Sequence, residues 1–132
     1  MPLDPLTYAA PAIQLHTAAA LVAIIATFLI FTRARGTRAH RLLGWVWIGA
    51  MALVAITSFQ IRGSGPLFGL SWIHMLSVFV LAGIVLALRH IRRGDVAGHR
   101  GWMVGMVWGG LVVAGLFTLL PGRVMHAVIL GG

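Results

Sequence analysis

Each of four stretches, 13–32, 42–61, 71–90 and 101–120, runs for twenty residues without an Asp, a Glu or a Lys. About twenty apolar residues is the length an α-helix needs to cross the hydrocarbon of a bilayer. Inside lipid no water can satisfy the backbone, so spans of this length are helices, which bond every N–H within the segment. Apolar residues make up 60% of the chain and charged residues 9%, too few charges for a soluble domain of 132 residues. The expected fold class is therefore all-α: one integral membrane domain over 1–132.

Charge placement orients it. The net charge is +8, and eight of the ten arginines fall in two short loops. Arg33, Arg35, Arg38 and Arg41 lie between the first two spans; Arg89, Arg92, Arg93 and Arg100 lie between the last two. In a soluble protein such basicity would suggest nucleic acid. Between membrane spans it instead puts both loops in the cytoplasm and both termini outside. Anionic membrane lipid is the expected partner of these arginines, and nucleic acid is not expected. There is no Cys, hence no disulfide, thiolate metal site or c-type haem attachment. The first span has no positive residue before it, so it does not read as a cleaved signal peptide.

Short loops make successive helices antiparallel neighbours, giving an up-down-up-down four-helix bundle. Gly36 and Gly94 suit the ends of helices one and three, and Thr37 and Asp95 suit N-caps for the helices that follow. Gly63-Ser64-Gly65-Pro66 reads as a turn on the outer side, and the tail 121–132 is too short to span. The halves repeat: shifting by 58 places His16 on His74, Arg35-Gly36 on Arg93-Gly94 and, with one inserted residue, His40-Arg41 on His99-Arg100. This two-helix internal repeat has the same topology in both halves, so its pseudo-two-fold axis runs along the membrane normal.

The repeat concerns four of the six histidines. His16 and His74 stand near the outer ends of helices one and three, which are diagonal in such a bundle. His40 and His99 begin helices two and four at the inner face. Two facing histidines at each end suit bis-histidine haem, with an imidazole nitrogen on each axial position of the iron. Small residues follow the histidines: Ala19, Ala20 and Ala23, then Gly44, then Gly101 and Gly105. Arg41 and Arg100, directly after the inner histidines, are candidate propionate partners; Arg62 or Arg123 would serve an outer haem. Two histidines without Cys, Asp or Glu are too few ligands for zinc or copper. Met75 and Met103 are alternative axial ligands but read better as packing. His90 and His126 break the repeat and read as interfacial residues. Trp45, Trp47, Trp72 and Trp102 fit an aromatic belt, and the deeper Trp108 reads as core.

Two diagonal histidine pairs on four consecutive helices resemble the core of the cytochrome b561 family. The resemblance implies two b haems, one held by His16 and His74 and one by His40 and His99. This chain has the core helices alone and no Lys, so the family's lysine-based reductant site has no counterpart. The stretches Gln14-Leu15-His16, His40-Arg41-Leu42-Leu43-Gly44 and Gly115 through Arg123 also resemble a family of small predicted bacterial membrane proteins. That likeness implies the four-helix layout and a bacterial inner membrane, but no activity. The expectation is a minimal dihaem b-type cytochrome, an oxidoreductase in the broad sense. Its electron donor and acceptor are unspecified, with quinone or superoxide as the redox partners the resemblance allows. A homodimer is compatible with the sequence. Two other classes stay open: a small transporter or channel using histidine for protons, and a cofactor-free structural subunit.

Overall fold

A computed structural model describes residues 11–60, 72–117 and 124–131; the side chains of 72, 73, 117 and 124–126 are not among those described. The described residues are helical, with turns and no strand. The helices are α1 (Pro11–Phe31), α2 (Arg38–Ser58), α3 (Trp72–Arg92) and α4 (Val96–Met106). A π-helical segment (Val107–Val113) leads from α4 to α5 (Ala114–Phe117), and α6 (Val124–Leu130) follows. Three helices are long and apolar enough to cross a membrane: α1, α2 and α3 from His74. The fourth predicted span is helical from 96 to 117 but divided by the π segment; its end, 118–120, lies outside the described residues. So do Asp4, Arg62, Arg123 and the turn at 63–66.

α2 and α4 start four and five residues before the apolar runs do, because caps and not hydropathy set helix ends. Thr37 Oγ1 accepts the His40 amide at 3.2 Å, and Asp95 Oδ1 accepts the Gly98 amide at 2.9 Å. Gly94, with φ +77°, ends α3. Its own amide bonds Ile91 and the Asp95 amide reaches back to His90, the paired bonds of a Schellman close. Gly36, expected at the end of α1, stands five residues beyond Phe31 with φ +79°, in the turn that feeds Thr37. The α1 terminus is instead closed by Thr32, whose hydroxyl donates to Phe28 and Leu29 carbonyls.

Asp95 also accepts a bond from His90 Nδ1 at 2.8 Å. The Gly98 amide first, and His90 second, hold its carboxyl below the usual carboxylate range. A depressed folded value means the cap contributes fully above the ordinary carboxyl pKa and is lost as pH falls through the depressed one. Amide exchange at Gly98 and His99, corrected for intrinsic rates, is therefore expected to accelerate only below about pH 4. In Asp95→Ala it is fast at every pH.

α1 packs on α2, α2 on α3 and α3 on α4, and the π segment contacts both α1 and α3. Lipid-facing surfaces are apolar: Phe28 is 68% exposed, among many large hydrophobics. The seams are made of small residues, since lipid tails offer no hydrophobic drive to helix pairing and close backbone approach supplies the attraction. Ala19, Ala23 and Ala26 are the buried face of α1. At mid-depth the core is Trp47, Met51 and Met106, all fully buried. Trp47 Nε1 donates to Thr27 Oγ1 at 2.9 Å, and that hydroxyl donates to the Ala23 carbonyl. Trp47 is thus a core residue and no belt residue. Trp108, expected in the core, is 62% exposed. It stands two residues from buried Met106, and 200° of helical rotation turns it outward.

Gly110 marks a close approach of the π segment to α2 and α3. A Cβ there would lie 2.8 Å from Val80 Cγ2 and 2.9 Å from Met51 Cε. Gly110→Ala is expected to destabilise by about 1–3 kcal/mol through overpacking. Gly49→Ala, where a Cβ meets nothing within 4 Å, is expected to be neutral or slightly stabilising. Unfolding in mixed detergent measures both.

Candidate functional site

The four repeated histidines fall on the inward seams of their helices. On α2 the seam reads His40, Gly44, Trp47, Met51, Ala55, at the i, i+4, i+7 spacing of one helix face. On α4 it reads His99, Met103, Met106. On α1 and α3 it begins at His16 and His74 and continues through Ala19, Ala23 and through Ser77, Val80. The Trp47–Met51–Met106 layer therefore separates a histidine pair at the basic end from another at the far end.

At the far end both rings are tied to α2. His16 Nδ1 bonds Thr57 Oγ1 at 3.0 Å. The Thr57 hydroxyl already donates to the Leu53 carbonyl at 2.7 Å, so the imidazole is the donor. His74, 6% exposed, donates Nε2–H to the Ser58 carbonyl at 2.9 Å and lies beside Phe59, ring centroids 5.8 Å apart. Ser58 and Ser77 hydroxyls bond each other, linking α2 to α3. His16 and His74 thus each bond α2, at the adjacent residues Thr57 and Ser58, and not each other. Thr57, Ser58 and Ser77 carry this network and were not singled out from the sequence. Their signal was there: hydroxyls inside apolar spans need partners.

The basic end differs. His99 Nδ1–H donates to the carbonyl of buried Ala87 at 2.9 Å. That bond fixes the ring and its tautomer and leaves Nε2 as the nitrogen with the lone pair. It is the outer-shell arrangement of metal-bound imidazoles. His40 lies near the start of α2 at this same end, as His99 does near the start of α4. His40 Nδ1 is buried and has no hydrogen-bond partner among the described residues. A buried nitrogen left unmatched is rare and asks for a ligand. Gly44, one turn along from His40, has nothing within 4 Å of where its Cβ would be. The donor types at this end fit a haem. The far end fits one only if His74 gives up the Ser58 carbonyl.

Arg41 and Arg100 are exposed beside the basic-end pair. Met75 is 72% exposed and faces away from the core, so it is no axial ligand. Met103 packs against the core. Ala19 and Ala23 pack between α1 and α2. Among the described residues no three His, Cys, Asp or Glu side chains gather as a metal site.

No curated protein and no solved structure matches the chain. Residues 13–128, nearly its whole length, match the family described as predicted membrane protein (DUF2306). The span lengths, exposed apolar faces and small-residue seams agree with that description, and the chain belongs to this family of membrane proteins.

Proposed function

We propose that the protein is a minimal b-type cytochrome of the bacterial inner membrane, an up-down-up-down four-helix bundle with its basic end in the cytoplasm. His40 and His99 would hold one haem, and His16 and His74 would hold a second. The observation that carries the reading is the buried, unpartnered Nδ1 of His40 beside a ring of His99 already oriented through Ala87. When bound, haem supplies one-electron redox chemistry.

The chain's own residues do the rest. His99 is held in one tautomer by Ala87. His40 brings a nitrogen that nothing else uses. Holding a haem by two histidines would suit electron transfer over oxygen binding. Arg41, directly after His40, would neutralise a propionate. The Trp47–Met51–Met106 layer keeps water from the bundle centre. Quinone or superoxide is the proposed redox partner.

The test is a spectrum. Detergent-purified protein expressed with ample haem is expected to show a b-type reduced-minus-oxidised difference, with one to two haems per chain. A colourless protein sinks the cytochrome reading. It would favour the second reading, histidine-based proton handling, for which the buried His16–Thr57 and His74–Ser58 contacts are the specific support.

A further inference from the structure

The basic end carries more positive charge than the chain neutralises. All eight arginines of the two loops are exposed. The carboxylate among the described residues, Asp95, is taken by His90 and the Gly98 amide. Two shallow grooves run along α4 just below this end. One, of about 440 Å³, is lined by Phe79, Gly98, Gly101, Trp102 and Gly105. The other, of about 580 Å³, is lined by Val96, Ala97, Arg100, Gly101 and Val104. At 100° per residue these sets occupy adjacent faces of the helix, and Gly101 belongs to both. Gly101 is exposed, and a Cβ on it would meet nothing within 4 Å. The ridge between the grooves is therefore bare backbone.

We propose that α4 binds one anionic phospholipid astride Gly101, with its phosphate on Arg100 and one acyl chain in each groove. The walls decide the class of ligand. Phe79, Trp102, Val96 and Val104 offer apolar surface, and Arg100 is the charged group lining either groove. From Arg100 to Gly105 is about 7.5 Å along the axis, the depth of the first carbons of a chain whose headgroup sits at Arg100. Farther along, Trp108 and Val112 are exposed and apolar, so the grooves open onto hydrocarbon. A zwitterionic lipid fills the same grooves but brings no net charge to Arg100 or to the neighbouring arginines. The site does not depend on haem.

Native mass spectrometry of the detergent-purified full chain tests it, with dioleoylphosphatidylglycerol and dioleoylphosphatidylethanolamine as probes. One phosphatidylglycerol is expected to be retained about five-fold more tightly than phosphatidylethanolamine, the effect of one basic side chain at headgroup level. Arg100→Gln brings the two lipids to parity, while Arg33→Gln, remote from the grooves, keeps the preference. Gly101→Leu sends a side chain into both grooves and removes the retained lipid, with helical content and melting temperature unchanged. Equal retention of the two lipids by the wild type overturns the proposal. So does undiminished retention by Gly101→Leu with the preference intact in Arg100→Gln.

Discussion

His99→Ala is expected to lower the haem content by one per chain and to remove the matching share of the reduced-minus-oxidised difference band. The expectation rests on geometry that a merely structural histidine would not need. The His99 ring is aimed by the Ala87 carbonyl at 2.9 Å, at the end of the protein where His40 Nδ1 is buried and unmatched. A buried hydrogen bond between membrane helices contributes only about 0.6 kcal/mol on average, so losing the Ala87 contact alone leaves the chain folded. Haem loss in a folded His99→Ala variant is therefore loss of a ligand. His40→Ala should lose the same haem, and the pair of variants together should lose no more than either alone, since one axial site without the other does not hold the group. His74→Ala reports on the far end independently: it takes away a second haem if that pair also ligates. Unchanged haem content in both His40→Ala and His99→Ala would overturn the assignment of the basic-end pair.

Trp47→Ala is expected to destabilise the fold by about 3 kcal/mol, the lower end of the range for removing a large buried aromatic. The lower end applies because a helix seam in lipid loses packing when a side chain is cut back, while the hydrophobic transfer part largely cancels. Trp47 is 1% exposed where α2 packs on α1, and it is part of the layer that separates the two histidine ends. Trp47→Phe keeps most of the volume and drops only the bond to Thr27, and about 0.6–1 kcal/mol is the expected loss. Trp108→Ala, on the exposed face, should change stability by less than about 0.5 kcal/mol. Steric trapping or unfolding in mixed detergent orders the three variants. An equal effect for Trp47→Ala and Trp108→Ala would contradict the rotation of α2 and α4 described above.

Much of this was legible without coordinates. Hydropathy marked the apolar runs because crossing a bilayer is a sum of single-residue transfers, and sums are indifferent to neighbours. Thr37 and Asp95 were readable as caps because capping is local, reaching three residues along the chain. Even the inward seams were partly implied: His40, Gly44, Trp47 and Met51 share a face by spacing alone. Applying that period through His99 and Met106 would have turned Trp108 outward, although membrane depth alone made it look like core.

What remained hidden depends on how helices rotate and slide against one another. His74 and Ser58 are sixteen residues apart, and His16 and Thr57 forty-one. No local rule pairs them. His16 meets Thr57 because Ala19, Ala23 and Ala26 let α1 sink onto α2, and His74 meets Ser58 where α3 packs on α2. The π segment, the burial of Trp47 over Trp45 and the unmatched nitrogen of His40 have the same origin. The sequence by itself determined three membrane-length spans and the caps at Thr37 and Asp95, since those follow from transfer energies and short-range bonds. Only the tertiary structure decided which histidines are satisfied by the protein and which nitrogen is left over, because that choice is made by contacts between helices.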